Sequence, residues 1–90
     1  MKKLREKFAD AVDINKEVIL DVPQITFIGN RELTIENYKG IIEYTDQIIR
    51  VNTSSNVLRL CGVSLEIKTI TQDMLYITGC VRSFEFCKNI

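Results

Sequence analysis

In the stretch LRLCGVSLEIK, residues 58–68, an alternating apolar pattern meets Gly62 and resumes out of phase: Leu58 and Leu60 share one parity, Leu65 and Ile67 the other. Successive side chains of a strand point to opposite faces, so both pairs reach one core only if the backbone resets its register between them. Glycine permits this because it takes backbone angles closed to other residues, and inside a strand pattern it marks a bulge, a bend or a tight turn. The device recurs. Ile25 and Phe27 lead to Gly29, with Leu33 and Ile35 beyond it; Leu75 and Ile77 lead to Gly79, with Phe84 and Phe86 beyond it. The spacing after each glycine differs, which disfavours a solenoid of identical stacked units. Gly29, Gly62 and Gly79 are therefore read as corners where one strand folds over or passes into the next. A phosphate-cradling role would want a glycine cluster ahead of a helix, and the sequence offers none.

Around these corners run short segments rich in Val, Ile, Thr, Tyr and Phe, separated by turn residues. Val18, Leu20 and Val22 alternate up to Pro23, which has no N–H for a ladder and belongs at a strand start or an edge. Asp21, just before it, reads as a turn acceptor. Leu33 and Ile35 continue the pattern, ENYKG is expected to turn or bend at Gly40, and IIEYTDQIIRVNT reads as two strands joined near Thr45, Asp46 and Gln47. Residues 54–56 form a further turn. Strands are then expected over 57–61, 63–70, 74–78 and 81–86, with Gln72 and Asp73 in a loop. Seven or eight short strands without intervening helices predict an all-β domain, a small antiparallel sandwich or a partly open barrel. A parallel α/β sheet is disfavoured.

Ninety residues make one domain, and a chain of this size buries only about 60 to 65% of the surface exposed when unfolded. So thin a core leaves little stability to spare, and small domains often gain it from a partner or from self-association. The formal charge is balanced at zero, which argues against a nucleic-acid partner, for which a basic excess is expected. The local exception is MKKLREKFADAVDINKE. Leu4, Phe8, Ala11 and Val12 fall on one apolar stripe at helical spacing, with Lys2, Lys3, Arg5 and Lys7 around it. Asp10 and Asp13 come late in the segment, against the helix dipole, so an isolated helix would be marginal and must dock. The expected organisation is an amphipathic helix over 1–16 and a β domain over 17–90. The stripe either packs on that domain or meets a partner's groove or an anionic membrane surface peripherally. No apolar run is long enough to span a bilayer and no secretory signal is visible, so a soluble chain retained in its compartment is expected.

The inventory for catalysis is short. Histidine is absent, and with it the commonest general base, the usual partner of a nucleophilic Ser or Cys and a frequent zinc ligand. Glu66 and Glu85 occupy equivalent places in two of the glycine phrases, but each lies between inward-facing residues and should point to solvent rather than pair for acid–base work. Cys61, Cys80 and Cys87 are odd in number and lack CxxC spacing, which suits neither a zinc site nor a disulfide framework. Buried or half-buried free thiols are expected. The residues thus imply no catalytic site, no metal and no cofactor.

The run DVPQITFIGNRELTIENYKGIIEYTDQIIRV, followed by LRLCGVSLEIKTI and MLYITG, resembles the YabP/YqfC family of sporulation proteins, most closely its YqfC branch. The likeness covers about residues 17–86 and rests on order and spacing: Pro23 ahead of Gly29, the block IENYKG ending at Gly40, and the Gly62 phrase running into Ile67, Lys68 and Ile70. Cys80 and Cys87 stand outside the family pattern. The resemblance implies a process rather than a reaction, namely endospore formation in the mother cell of Firmicutes. It implies a structural or adaptor role beside a larger membrane-associated sporulation protein, YqfD-like, or by homo-oligomerisation. The implied location is the mother-cell cytoplasm or the forespore membrane surface. Contact would run through a free sheet edge or through the N-terminal stripe. The competing reading is a small-molecule or glycan-binding β module of the spore envelope, which would need a concave apolar site with convergent polar groups.

Overall fold

The computed structural model describes residues 21–88; the expected helix over 1–16 and the alternation at Val18 and Leu20 lie outside them. The described residues form six strands, β1 (Gln24–Ile28), β2 (Glu32–Glu36), β3 (Tyr38–Tyr44), β4 (Ile48–Thr53), β5 (Val57–Ile70) and β6 (Met74–Cys87). All pairings are antiparallel, in one sheet of order β1-β2-β6-β5-β4-β3. Pro23 sits immediately before β1, where its missing N–H costs no ladder bond.

Turn chemistry fixes three of the connections in the same way. Thr45, Thr53 and Thr71 each open a four-residue loop closed by a backbone bond to the residue three positions on, at 2.8 to 2.9 Å. Each hydroxyl also accepts from that residue's N–H, Ile48 at 2.9 Å, Asn56 at 3.0 Å and Met74 at 3.0 Å. The side chain thereby stands in for a backbone acceptor at the hairpin end. Gly29, at φ +56°, lies in the β1–β2 turn.

The expected seven or eight short strands become six because β5 and β6 are long, fourteen residues each, and run through the corners at Gly62 and Gly79. Register shifts in the β5–β6 ladder mark the bend, at Cys61/Gly62, between Val63 and Glu66, and between Ile67 and Thr69. Ahead of the bend β5 pairs with β4, and β2 pairs with residues 74–78 of β6. One half of the sheet thus holds β3, β4, residues 57–61 of β5 and 81–87 of β6. The other holds β1, β2, residues 74–78 of β6 and 66–70 of β5.

Both halves contribute to one core. Ile49, Val51, Leu58 and Leu60 from the β4 half cluster with Leu33, Ile35, Leu75 and Ile77 from the β2 half, all fully buried. Leu65 joins them and Ile67 packs against them, so the parity reset across Gly62 occurs as the sequence requires. The architecture is therefore a single sheet bent over on itself, in place of a sandwich of two separate sheets.

Each bend is held by the loop of the neighbouring hairpin. The N–H groups of Gly62 and Leu65 donate to the carbonyls of Gln47 and Asp46 at 2.9 and 2.8 Å. Those of Gly79 and Val81 donate to Arg31 and Asn30 at 3.1 and 2.8 Å. Gly40 is not a turn: it lies inside β3 at a bulge, and the chain bends instead at Asn37, which takes the left-handed angle φ 64° and passes the chain from β2 in one half-sheet to β3 in the other. Asparagine tolerates that conformation better than most residues.

Candidate partner interface

A sheet offers a partner its unpaired strand edges, and here most lengths of edge near the bends are covered. Beyond the Asp46 and Gln47 carbonyls, Tyr44 Oη accepts from the Ile67 N–H at 2.9 Å, which caps β5 on its outer side. β6 differs. Its register with β2 ends at Thr78, and the last bonds on that side are those of Gly79 and Val81 to the β1–β2 loop. Alternate residues of a strand send their backbone groups the same way, and the extra residue at Arg82 shifts that alternation by one, so beyond it Phe84 and Phe86 present N–H and C=O to an edge that no described strand pairs. Arg82, Glu85 and Lys88 flank it with charge, which discourages indiscriminate strand addition.

Along this edge the core face is open. Phe86 stands opposite Leu58 and Phe84 opposite Leu60, so both rings face the side of the buried leucines. Phe84 packs against the core, yet Phe86 is 60% exposed. Phe27, on the core face of β1 opposite Leu33, is 42% exposed. The rings form an edge-to-face row, Phe27 to Phe84 and Phe84 to Phe86, each step 5.3 Å between centroids. The stacking joins β1, at the margin of one half-sheet, to β6 at the margin of the other, and leaves an aromatic seam between them.

Several polar groups are taken up in local bonds and ion pairs. Glu66 and Glu85 both point outward as expected, and they lie on different halves: Glu66 Oε1 is 3.3 Å from Lys68 Nζ, Glu85 Oε1 accepts from Arg59 Nη1 at 2.9 Å. The bond to Glu85, aided by the nearby Cys61, raises the Arg59 pKa above its usual value. Tyr76 donates to Glu32 Oε1 at 2.9 Å, and this bond holds its phenol protonated, with a raised pKa. Cys61, Cys80 and Cys87 are free, half-buried thiols. No group of three or more His, Cys, Asp or Glu able to hold a metal occurs among the described residues. A groove of about 520 Å³ beside the Gly79 bend, lined by Arg31, Glu32, Ser64, Thr78 and Cys80, is wide open and has no aromatic wall.

Of the residues proposed for contact on sequence grounds, Lys2, Lys3, Leu4, Arg5, Lys7, Phe8 and Val12 lie outside the described residues. The sequence reading does not anticipate the seam, although it places Phe84 and Phe86, on either side of Glu85, inward: periodicity gives the face but not what covers it. Among the described residues no helix is long and apolar enough to cross a membrane.

Comparison with known proteins places the chain. The uncharacterized protein YqfC of Bacillus subtilis (strain 168) is 25% identical over 71 residues, covering 79% of this chain and 76% of that protein. No solved structure matches. The profile of the YabP family matches residues 21–89, which takes in all six strands and the seam. The chain belongs to the YabP family.

Proposed function

We propose that this protein is a non-enzymatic structural or adaptor module of endospore formation, acting in the mother cell by holding a membrane-associated partner of the YqfD kind or a second copy of itself. The observation that carries the reading is an open strand edge bordered by exposed aromatic rings on a YabP-family domain. Apolar anchors beside free backbone groups are what a strand-adding or groove-seeking partner uses. The N-terminal stripe, with Leu4, Phe8 and Val12 among Lys2, Lys3, Arg5 and Lys7, supplies a second contact element. Its basic flank suits an anionic membrane surface, and the forespore membrane is where such a partner would be met. The small-ligand reading finds little support, because the groove beside Gly79 is open and lacks apolar enclosure.

Retention of a membrane protein by the tagged full chain, drawn from extracts of sporulating cells, is the expected result. Loss of that protein in the folded Leu4→Asp, Phe8→Asp variant would assign the contact to the stripe, and retention would move it to the β6 edge. A strictly monomeric chain that retains nothing would end the adaptor reading.

A further inference from the structure

Among the described residues the aromatic seam is core-facing surface without a cover, and the sequence carries a matching cover of its own. We infer that the apolar stripe of residues 1–16 seats in cis on the row Phe27, Phe84, Phe86, completing the core between β1 and the free edge of β6. This goes beyond the adaptor reading and does not depend on it; while the stripe is seated, the partner contact of that reading falls to the open edge of β6.

Position supports the assignment. The described chain begins at Asp21, whose carbonyl accepts from Ser54 Oγ, while the Val22 carbonyl accepts from Asn37 Nδ2 at 3.0 Å. Ser54 belongs to the β4–β5 turn, and that turn ends at Val57, the partner of Cys87 in the β5–β6 ladder. The N-terminal segment therefore leaves the domain at the end of the sheet where Phe86 stands exposed. β1 then runs on from there to Phe27.

Length and spacing agree as well. Sixteen helical residues would extend about 24 Å, and residues 17–20 can link them across about 13 Å when extended. That is ample on a domain whose longest dimension is 39 Å. Leu4, Phe8 and Val12 would repeat about every 6 Å along a helix, against ring steps of 5.3 Å in the seam. Three apolar side chains thus meet three rings in near register, with Arg5 and Lys7 at the flanks of the stripe and Lys2 and Lys3 turned away from it. A helix marginal by itself gains its stability from such a face.

The chain has no tryptophan, so Phe8→Trp in the full-length protein gives a single fluorescent reporter on the stripe. Seating predicts blue-shifted emission that is unchanged on dilution and moves to the red when Phe86→Asp is added. Circular dichroism checks that the β signal persists, and Phe86→Ser serves as a milder second variant. Red emission in the unaltered domain overturns the inference, as does blue emission indifferent to both changes at Phe86. Blue emission lost on dilution would show a second copy supplying the cover, which also overturns seating in cis.

Discussion

Gly62→Ala is expected to destabilise the domain by at least about 3 kcal/mol, a large part of what so small a fold possesses. A Cβ at this position would lie 2.1 Å from the Cys80 carbonyl oxygen and 3.0 Å from its carbonyl carbon. Those atoms are backbone of the adjacent strand, so relief requires parting β5 from β6 at the bend. The bend cannot move freely, because the Gly62 N–H is bonded to Gln47 and the Leu65 N–H to Asp46. Gly79→Ala should act alike, since its Cβ would come within 2.6 Å of the Ser64 carbonyl oxygen at a φ of +135°. Gly40→Ala is the control: nothing lies within 4 Å of its added methyl, and a change within about 0.5 kcal/mol is expected. Denaturant midpoints of the three variants measure this directly. A Gly62→Ala midpoint close to that of Gly40→Ala would show that the crossing is looser than its geometry implies.

Leu60→Ala should cost about 2 to 5 kcal/mol, the range for emptying a closed apolar site. Leu60 is fully buried in the cluster that both half-sheets share, lying between Ile49 of β4 and Phe84 of β6. A side chain held from both lateral neighbours leaves a void that the bent sheet cannot collapse without shifting the bend. Ile70→Ala, at a residue 58% exposed near the far end of β5, should by contrast change stability by about 0.5 kcal/mol or less. Equal losses at the two sites would mean that the shared core is not the main source of stability.

Much of this fold is legible in the sequence, for particular reasons. The parity switch from Leu58 and Leu60 to Leu65 and Ile67 announced the bend at Gly62, because alternation is set by backbone geometry alone. Whether a strand ends at such a glycine or bends through it is settled by hydrogen bonds to neighbouring chain segments. The Asp46 and Gln47 carbonyls that hold β5 lie some fifteen or more residues upstream and have no signature in the pattern. Four expected strands were therefore two. The turn or bend expected at Gly40 falls three residues early, because ENYKG holds two turn-forming residues and it is Asn37 that takes the left-handed angle, while Gly40 lies at a bulge. One signal went unused: TDQI, TSSN and TQDM share a threonine at the head of each loop, and all three are closed identically. The seam was legible only in half, since Phe84 and Phe86 showed their facing but not the early end of β2.

The bent strands also bear on how the molecule comes apart. Neither half-sheet owns a complete set of strands, because each borrows one end of β5 and one end of β6. A cut at either bend would sever both halves at once, so the domain has no internal module able to melt while the other survives. Unfolding should then proceed as one all-or-none event, with reporters on β2 and on β4 giving a single midpoint. Two resolved midpoints would mean that the glycine corners act as hinges between separable parts.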